Sequence, residues 1–227
     1  MTNLSPSATM VASRPKATKA RIVIVEDDPA LGEVLQYNLR QEGYDAELAS
    51  DGQQGLREIR RRQTDLVILD LMLPLIDGLE VCRLLRADPE TQNLLVLMLT
   101  ARSEESDQLI GFSVGADDYV TKPFSVKVLL QRLHALLRRR DQRDGDRELM
   151  VSQGLMIDTR RHRATAGEHP LDLTPTEFDL LKALVQQPGR AFKRAELIDG
   201  ALGNDAIVLD RTIDVHIRAL RKKLGNY

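Results

Sequence analysis

The chain has 227 residues, of which 42% are hydrophobic and 29% charged, with a formal net charge of −2. That length suits two small domains of ~100–150 residues each, and the balance excludes wholesale disorder. No apolar run approaches the ~20 residues a membrane span needs. The first twenty residues lack the apolar stretch of a signal peptide. Cys82 is the single cysteine, which excludes a disulfide framework and points to a reducing compartment. A cytoplasmic protein with no membrane attachment is expected.

Residues 1–20 are rich in Ser, Thr, Ala and Pro without periodicity and read as a disordered arm. From Arg21 the pattern alternates. Apolar runs at Arg21–Val25, Leu66–Leu69 and Leu94–Leu99, with weaker ones at Asp45–Ala49 and Asp118–Thr121, predict five strands. Between and after them, Pro29–Glu42, Gly52–Arg62, Gly78–Arg86, Glu105–Val114 and Ser125–Arg139 have helical spacing, with Asp28 as the cap of the first. Five such units predict an α/β domain over residues 21–140, a doubly wound parallel sheet covered on both faces.

Residues 141–148 (DQRDGDRE) carry no apolar stripe and read as a linker. A second domain, 149–227, is predicted as a small α+β unit. Strand candidates lie at Leu155–Asp158, Arg163–Ala166 and Pro170–Leu173. They precede Thr174-Pro175-Thr176-Glu177, a capping box with Pro at the first helical position. Helices then run to about Gln187, from Lys193 to about Gly200, and over Asp210–Leu224.

Chemistry concentrates where the strands of the first domain end. Glu26 and Asp27 follow the first strand, Asp70 the third, Thr100 the fourth and Lys122 the fifth. An open parallel sheet binds ligands at that edge, so topology gathers these five side chains. Three carboxylates in one place repel one another, and burial worsens it. A divalent cation and an ammonium relieve that repulsion; oxygen ligands suit Mg²⁺, and Lys122 supplies the ammonium. Such a site can accept a phosphoryl group on Asp70, with Thr100 as a hydroxyl donor to the product.

Val25-Glu26-Asp27-Asp28, Leu69-Asp70-Leu71-Met72-Leu73-Pro74, Leu99-Thr100-Ala101-Arg102 and the run Gly115–Phe124 (GADDYVTKPF) resemble the receiver domain of two-component response regulators, a flavodoxin-like fold, over residues 21–140. The resemblance implies that a sensor histidine kinase phosphorylates Asp70. It also implies that Glu26, Asp27, Asp70 and the Met72 backbone carbonyl hold Mg²⁺. Thr100 and Tyr119 would be the switch pair, with Tyr119 turning inward, and Lys122 would contact the phosphate through a cis bond to Pro123. Haloacid-dehalogenase-type phosphatases share the aspartate nucleophile, but their second Asp, the acid–base group, is Met72 here. The protein would therefore accept and slowly lose a phosphoryl group without being a turnover enzyme.

In the OmpR/PhoB family, which the whole chain resembles, the switch face forms a homodimer through ion pairs. Those map here to Asp118 with Arg132 and Asp117 with Arg139. A third pair falls on Gln108 and Val128 and is lost, leaving Ile110, Val128 and Leu129 for apolar contact.

The last predicted helix carries an apolar stripe, Ile213, Ile217, Leu220 and Leu224, and a separate basic stripe with Arg211, Arg218 and Arg221. One buried and one basic face suits the DNA major groove. Leu173-Thr174-Pro175-Thr176-Glu177-Phe178 and the run Asp210–Leu224 (DRTIDVHIRALRKKL) resemble the winged-helix effector of the same family. This implies DNA contact by Arg211, Thr212, Val215, His216, Arg218, Arg221 and Lys222, on direct-repeat half-sites. Position 219, often basic and base-reading in relatives, is Ala219. RNA polymerase is compatible as a further partner. The family continues into a β-hairpin wing with a pattern like TVRGxGY, whereas this sequence stops at Tyr227. The expectation is an effector truncated before its wing, with weakened DNA affinity. The alternative is a receiver-only signalling protein whose effector does not bind DNA.

Overall fold

The structure is a computed structural model and describes residues 19–101, 114–143, 149–159, 161–198 and 210–225; the side chains of residues 101, 139–143 and 210–212 lie outside that description. The first domain is a five-stranded parallel sheet in the order β2-β1-β3-β4-β5. Its strands are β1 (Arg21–Val25), β2 (Asp45–Ala49), β3 (Leu66–Asp70), β4 (Leu95–Ala101) and β5 (Asp118–Lys122). Helices α1 (Pro29–Gln41), α2 (Gly52–Arg61), α3 (Gly78–Ala87) and α4 (Val126–Arg143) cover it.

Both faces are covered, so the central strands are apolar at every position rather than at alternate ones. Successive side chains still point to opposite sides, which divides the core in two. Val23, Val25, Val67, Leu69, Val96 and Met98 meet α2 and α3 through Leu56, Ile59, Val81 and Leu85. Ile22, Ile24, Ile68, Leu97 and Leu99 meet α1 and α4 through Leu35, Leu39, Leu129, Leu133 and Leu136. Each such side chain, removed from water, contributes about 1.5–3 kcal/mol before conformational entropy is subtracted.

Helix starts are fixed locally. Asp28 accepts from Ala30 N at 2.9 Å, Asp51 from Gln54 N at 2.7 Å and Asp77 from Glu80 N at 2.8 Å. These carboxylates satisfy amides that have no partner within the helix. The sequence-predicted helix at 105–114 falls almost wholly outside the described residues. The expected linker is shorter than its composition suggests: α4 continues to Arg143, two residues past Asp141. Polar composition alone does not end a helix when no Gly or Pro interrupts it, and the first Gly of that segment is Gly145.

The second domain begins with a four-stranded antiparallel sheet, β6 (Leu149–Ser152), β7 (Leu155–Asp158), β8 (Arg163–Ala166) and β9 (His169–Leu171), in sequence order. Strand β6 was not foreseen; its four residues show no strong pattern, and it forms by pairing with β7 from Leu149↔Asp158 to Ser152↔Leu155. Helices α5 (Pro175–Gln186), α6 (Arg194–Leu197) and α7 (Asp210–Leu224) follow. The capping box of α5 forms as the sequence predicts. Thr174 N donates to Glu177 Oε2 at 2.9 Å and Glu177 N donates to Thr174 Oγ1 at 3.4 Å. Phe178, Leu181, Leu197, Ile213 and Leu220 build the core. Lys223 ties α7 to α5 at 2.7 Å from Glu177. An open groove of about 660 Å³ runs over this core, lined by Leu184, Phe192, Ile217 and Leu224.

The two domains touch. Val215 of α7 rests against the apolar cluster on the α2–α3 side of the receiver sheet. Thr176 at the start of α5 bonds to Asp117, just before β5. His162 joins Arg60, Asp65 and Leu94 around a cleft of about 570 Å³.

Candidate functional site: an acidic pocket at the rim of the parallel sheet

Strand order reverses at β1, which has β2 on one side and β3 on the other. Chains leaving β1 and β3 part in opposite directions there and open a crevice at their carboxyl ends. Register places Val25 beside Leu69 and Asp70 beside Leu99, so Glu26 and Asp27 emerge next to Asp70. One carboxylate oxygen from each of Glu26, Asp27 and Asp70 lies within 4.8 Å of the others. Glu26 and Asp70 are buried, at 2% and 4% exposure, while Asp27 faces solvent.

Lys122, from the end of β5, reaches across this cluster. Its Nζ donates to Glu26 Oε1 at 3.0 Å, Glu26 Oε2 at 2.8 Å and Asp70 Oδ2 at 2.8 Å. Burial, with a smaller push from the Asp70 charge, raises the Glu26 pKa above its ordinary value; the Lys122 hydrogen bond opposes this. Burial pulls the Lys122 ammonium down, but its bonds to Asp70 and Glu26 and their charges outweigh that, and its pKa rises. One ammonium thus serves two buried carboxylates, with a third beside them. That donor set, all oxygen and in charge excess, fits a hard divalent cation.

The loop after β3 completes the rim. Met72 N points to Asp70 Oδ1 at 3.4 Å, and the Met72 side chain is 74% exposed. Gly78 passes so close that a Cβ there would stand 2.0 Å from the Asp70 carbonyl oxygen; no side chain fits at that position. Thr100 is fully buried at the end of β4, with Thr121 beside it on β5. Tyr119 is 6% exposed, in the same apolar cluster as Cys82 and Ala116. Burial lifts its phenol well above the usual range. The peptide bond between Lys122 and Pro123 is cis, as expected.

The sequence matches the response regulator receiver domain family over residues 22–134 and the transcriptional regulatory protein C-terminal family over 168–227. The chain belongs to the response regulators. It is 44% identical over 205 residues to the phosphate regulon transcriptional regulatory protein PhoB of Rhizobium meliloti, covering 90% of each. To PhoB of Escherichia coli it is 41% identical over 204 residues, 90% of this chain and 89% of the other. It is also 41% identical over 206 residues to the DNA-binding response regulator MtrA of Mycolicibacterium smegmatis, 91% and 88%. Among solved structures, a mutant of RitR superposes with a TM-score of 0.77 at 27% identity, covering 91% of this chain and 90% of the other. This response regulator therefore combines a receiver with a winged-helix-type DNA-binding domain, is homologous to transcriptional regulators and is not a classical enzyme. Among its described residues no helix is long and apolar enough to cross a membrane.

On the switch face of the response regulator, residues expected to pair across a dimer also make contacts within one chain. Arg132 donates to both oxygens of Asp118, at 2.9 and 3.0 Å. β5 and α4 are neighbours in the fold, so the intrachain pair needs no partner. Asp117 is 2% exposed and pairs with Arg86 of α3 at 2.8 Å, whereas Arg139, its expected partner, has a side chain outside the described residues. Leu129 is buried at 1% in the core and not on an outer face; Val128 is 36% exposed. Gln108 and Ile110 lie outside the described residues.

On α7, Arg218, Arg221 and Lys222 face solvent. Val215 is half-buried against the receiver. His216, expected to touch DNA, is 1% exposed: it stands three residues after Ile213 and four before Leu220, on the buried side of the helix. The Arg211 and Thr212 side chains lie outside the described residues. Two residues around the switch face were not foreseen, Arg86 and Thr176. Thr176 had a signal, since the capping box uses Thr174 and leaves the second Thr of Thr-Pro-Thr-Glu unassigned. Arg86 had none, because the contact joins residues 31 apart in sequence.

Proposed function

We propose that Asp70 takes a phosphoryl group from the phosphohistidine of a sensor kinase in the cytoplasm. One Asp70 carboxylate oxygen attacks phosphorus, the bond from phosphorus to the histidine nitrogen breaks, and its electron pair stays with the imidazole. Slow loss follows when water attacks phosphorus and the Asp70 carboxylate leaves. Glu26, Asp27, Asp70 and the Met72 carbonyl would hold Mg²⁺, which when bound neutralises charge on the phosphoryl oxygens. Lys122, already bonded to Asp70 and Glu26, pairs with the added negative charge, and Thr100 supplies a hydroxyl donor. Tyr119 responds with Thr100, the receiver forms a homodimer, and α7 reads DNA half-sites arranged as a direct repeat through Arg211, Thr212, Arg218, Arg221 and Lys222. A contact by Val215 belongs to this reading only if α7 first leaves the receiver, and one by His216 only if its side chain turns out from the buried side of α7.

The observation that carries the reading is the convergence of three carboxylates within 4.8 Å, bridged by Lys122 at 2.8 Å from Asp70. Incubation with radiolabelled acetyl phosphate and Mg²⁺ tests it. Label should enter the wild type, fail to enter D70N, and be lost on adding a chelator before the donor. Equal labelling of D70N would overturn the assignment.

A further inference from the structure

A duplex is a polyanion, so a helix that meets it should expose basic or neutral side chains. One flank of α7 breaks this rule. Asp214, Arg218 and Arg221, spaced four and three apart, lie along one side of the helix and all face solvent. Two are cations, but Asp214 is a carboxylate, 53% exposed. It follows Ile213 of the buried stripe by one residue, which turns it about 100° away from the core.

Arg194, the first residue of α6, binds it. Nε donates to Asp214 Oδ1 at 2.9 Å and to Oδ2 at 3.2 Å. Both bonds use Nε, on the side of the guanidinium fork; Nη1 and Nη2, at its tip, are the pair that grips a phosphate. Arg194 is 60% exposed, and an ion pair so placed contributes little to stability. The neighbouring charges are arranged differently. Glu196 accepts from Arg190 at 2.6 Å and from Lys193 N at 2.7 Å. Glu196 thus closes the start of α6 on itself, whereas Arg194 is turned to α7. Arg194, Asp214 and Arg221 share the rim of the groove over the effector core.

A helix about 10–12 Å across fills a major groove about 12 Å wide. Whatever stands beside its flank meets the phosphates that bound the groove. We propose that Arg194 contacts a DNA phosphate and that Asp214 is its positioning residue, holding Nε so that the tip of the fork faces the backbone. The carboxylate on α7 repels phosphate, but it holds in place an arginine that would otherwise lose rotamer freedom on binding. This rests on the reading of α7 as the DNA-contacting helix and extends the interface to a second helix.

The charge of Asp214 lets the sign of one substitution decide. Neutralising a bystander carboxylate near DNA strengthens binding; neutralising a positioning one weakens it. Fluorescence anisotropy of the full-length protein on a short mixed-sequence duplex reads this, because phosphate contacts carry no sequence information. No phosphodonor or beryllofluoride, a phosphoryl mimic, is added, so activation does not change the number of copies on the duplex. R194A should flatten the plot of log affinity against log salt by about one unit and weaken binding about five- to tenfold at about 0.1 M salt. R194K, which keeps the charge, should restore most of the slope. D214N should weaken binding about two- to threefold in the wild-type background yet strengthen it in R194A, where nothing is left to position. An unchanged slope in R194A, or tighter binding by D214N in the wild-type background, would overturn the proposal. R218A is the control on α7. If its slope were also unchanged, the DNA-contacting role of α7 would fall, and the slope of R194A would still decide whether Arg194 meets phosphate.

Discussion

Lys122 is the residue on which the pocket's electrostatics turn. It stands 2.8 Å from both Glu26 and Asp70, two carboxylates that burial keeps from full solvation. Removing one partner of a buried ion pair usually costs about 3–5 kcal/mol; Lys122 is 28% exposed, so water offsets part of that. K122M should lower stability by about 2 kcal/mol in the absence of divalent cation, read from urea unfolding. Added Mg²⁺ should restore more stability to K122M than to wild type, because the cation then meets charge that nothing else neutralises. An equal Mg²⁺ response in the two proteins would show that the ammonium does not govern the cluster. Cys82 offers a second check. Burial pushes its thiol from about 9 up to about 11, so the folded protein keeps the proton that the unfolded chain releases. The contribution is full below pH 9 and is lost as pH rises through 11, which makes folding less favourable by up to about 3 kcal/mol across that window. Wild type should lose stability between those pH values, and C82A should lose less. Native Cys82 should also resist an aromatic disulfide reagent at about pH 8 until urea unfolds the domain.

At the scale of elements, the strands and caps position the chemistry, and the Gly78 backbone shows how tightly. The start of α3 passes within contact of the Asp70 carbonyl, and Gly78 N bonds to Leu71 O at 3.0 Å. G78A must push the loop after β3 outward. The expected cost is about 1–3 kcal/mol, as for other overpacked sites, seen as a lower urea midpoint with unchanged slope. Labelling of Asp70 should slow with it. This element was half legible. Five parallel strands could be read from runs such as Leu66–Leu69, because a strand buried on both faces has to be apolar at nearly every position. The end of each run then marked Glu26, Asp27, Asp70, Thr100 and Lys122, since polar side chains resume where the sheet edge meets water. Strand β6 was not legible, because its residues alternate weakly between exposed and half-buried and only pairing with β7 makes it a strand. The buried state of Asp117 and His216 was not legible either. Sequence shows that a residue is polar, but here burial is imposed by a long-range partner for Asp117 and by helical phase for His216.

For the whole molecule, the contact between the domains and DNA binding both use α7, the first through Val215 and the second through the basic residues, and salt separates their contributions. Arg218, Arg221 and Lys222 face solvent on α7, and each phosphate contact releases counterions. About 3–5 such contacts give a slope of roughly −3 to −5 in a plot of log affinity against log salt. The contact between the domains lowers the apparent affinity by the fraction of open molecules, and the fraction multiplies every point of the plot alike if salt does not move the contact. The Asp117–Thr176 contact is buried on both sides, where screening is weak, so it should be nearly insensitive to salt. On a duplex carrying a single half-site, where dimerisation adds no phosphate contacts, beryllofluoride should therefore shift the line upward with its slope unchanged, and T176V should shift it without beryllofluoride. R218A should do the opposite, reducing the steepness by about one unit in both states. A slope that steepens on adding beryllofluoride would mean that activation creates new phosphate contacts on α7 instead of releasing a surface already formed. Fluorescence anisotropy with a single-half-site duplex, titrated from about 50 to 300 mM salt, distinguishes the two outcomes.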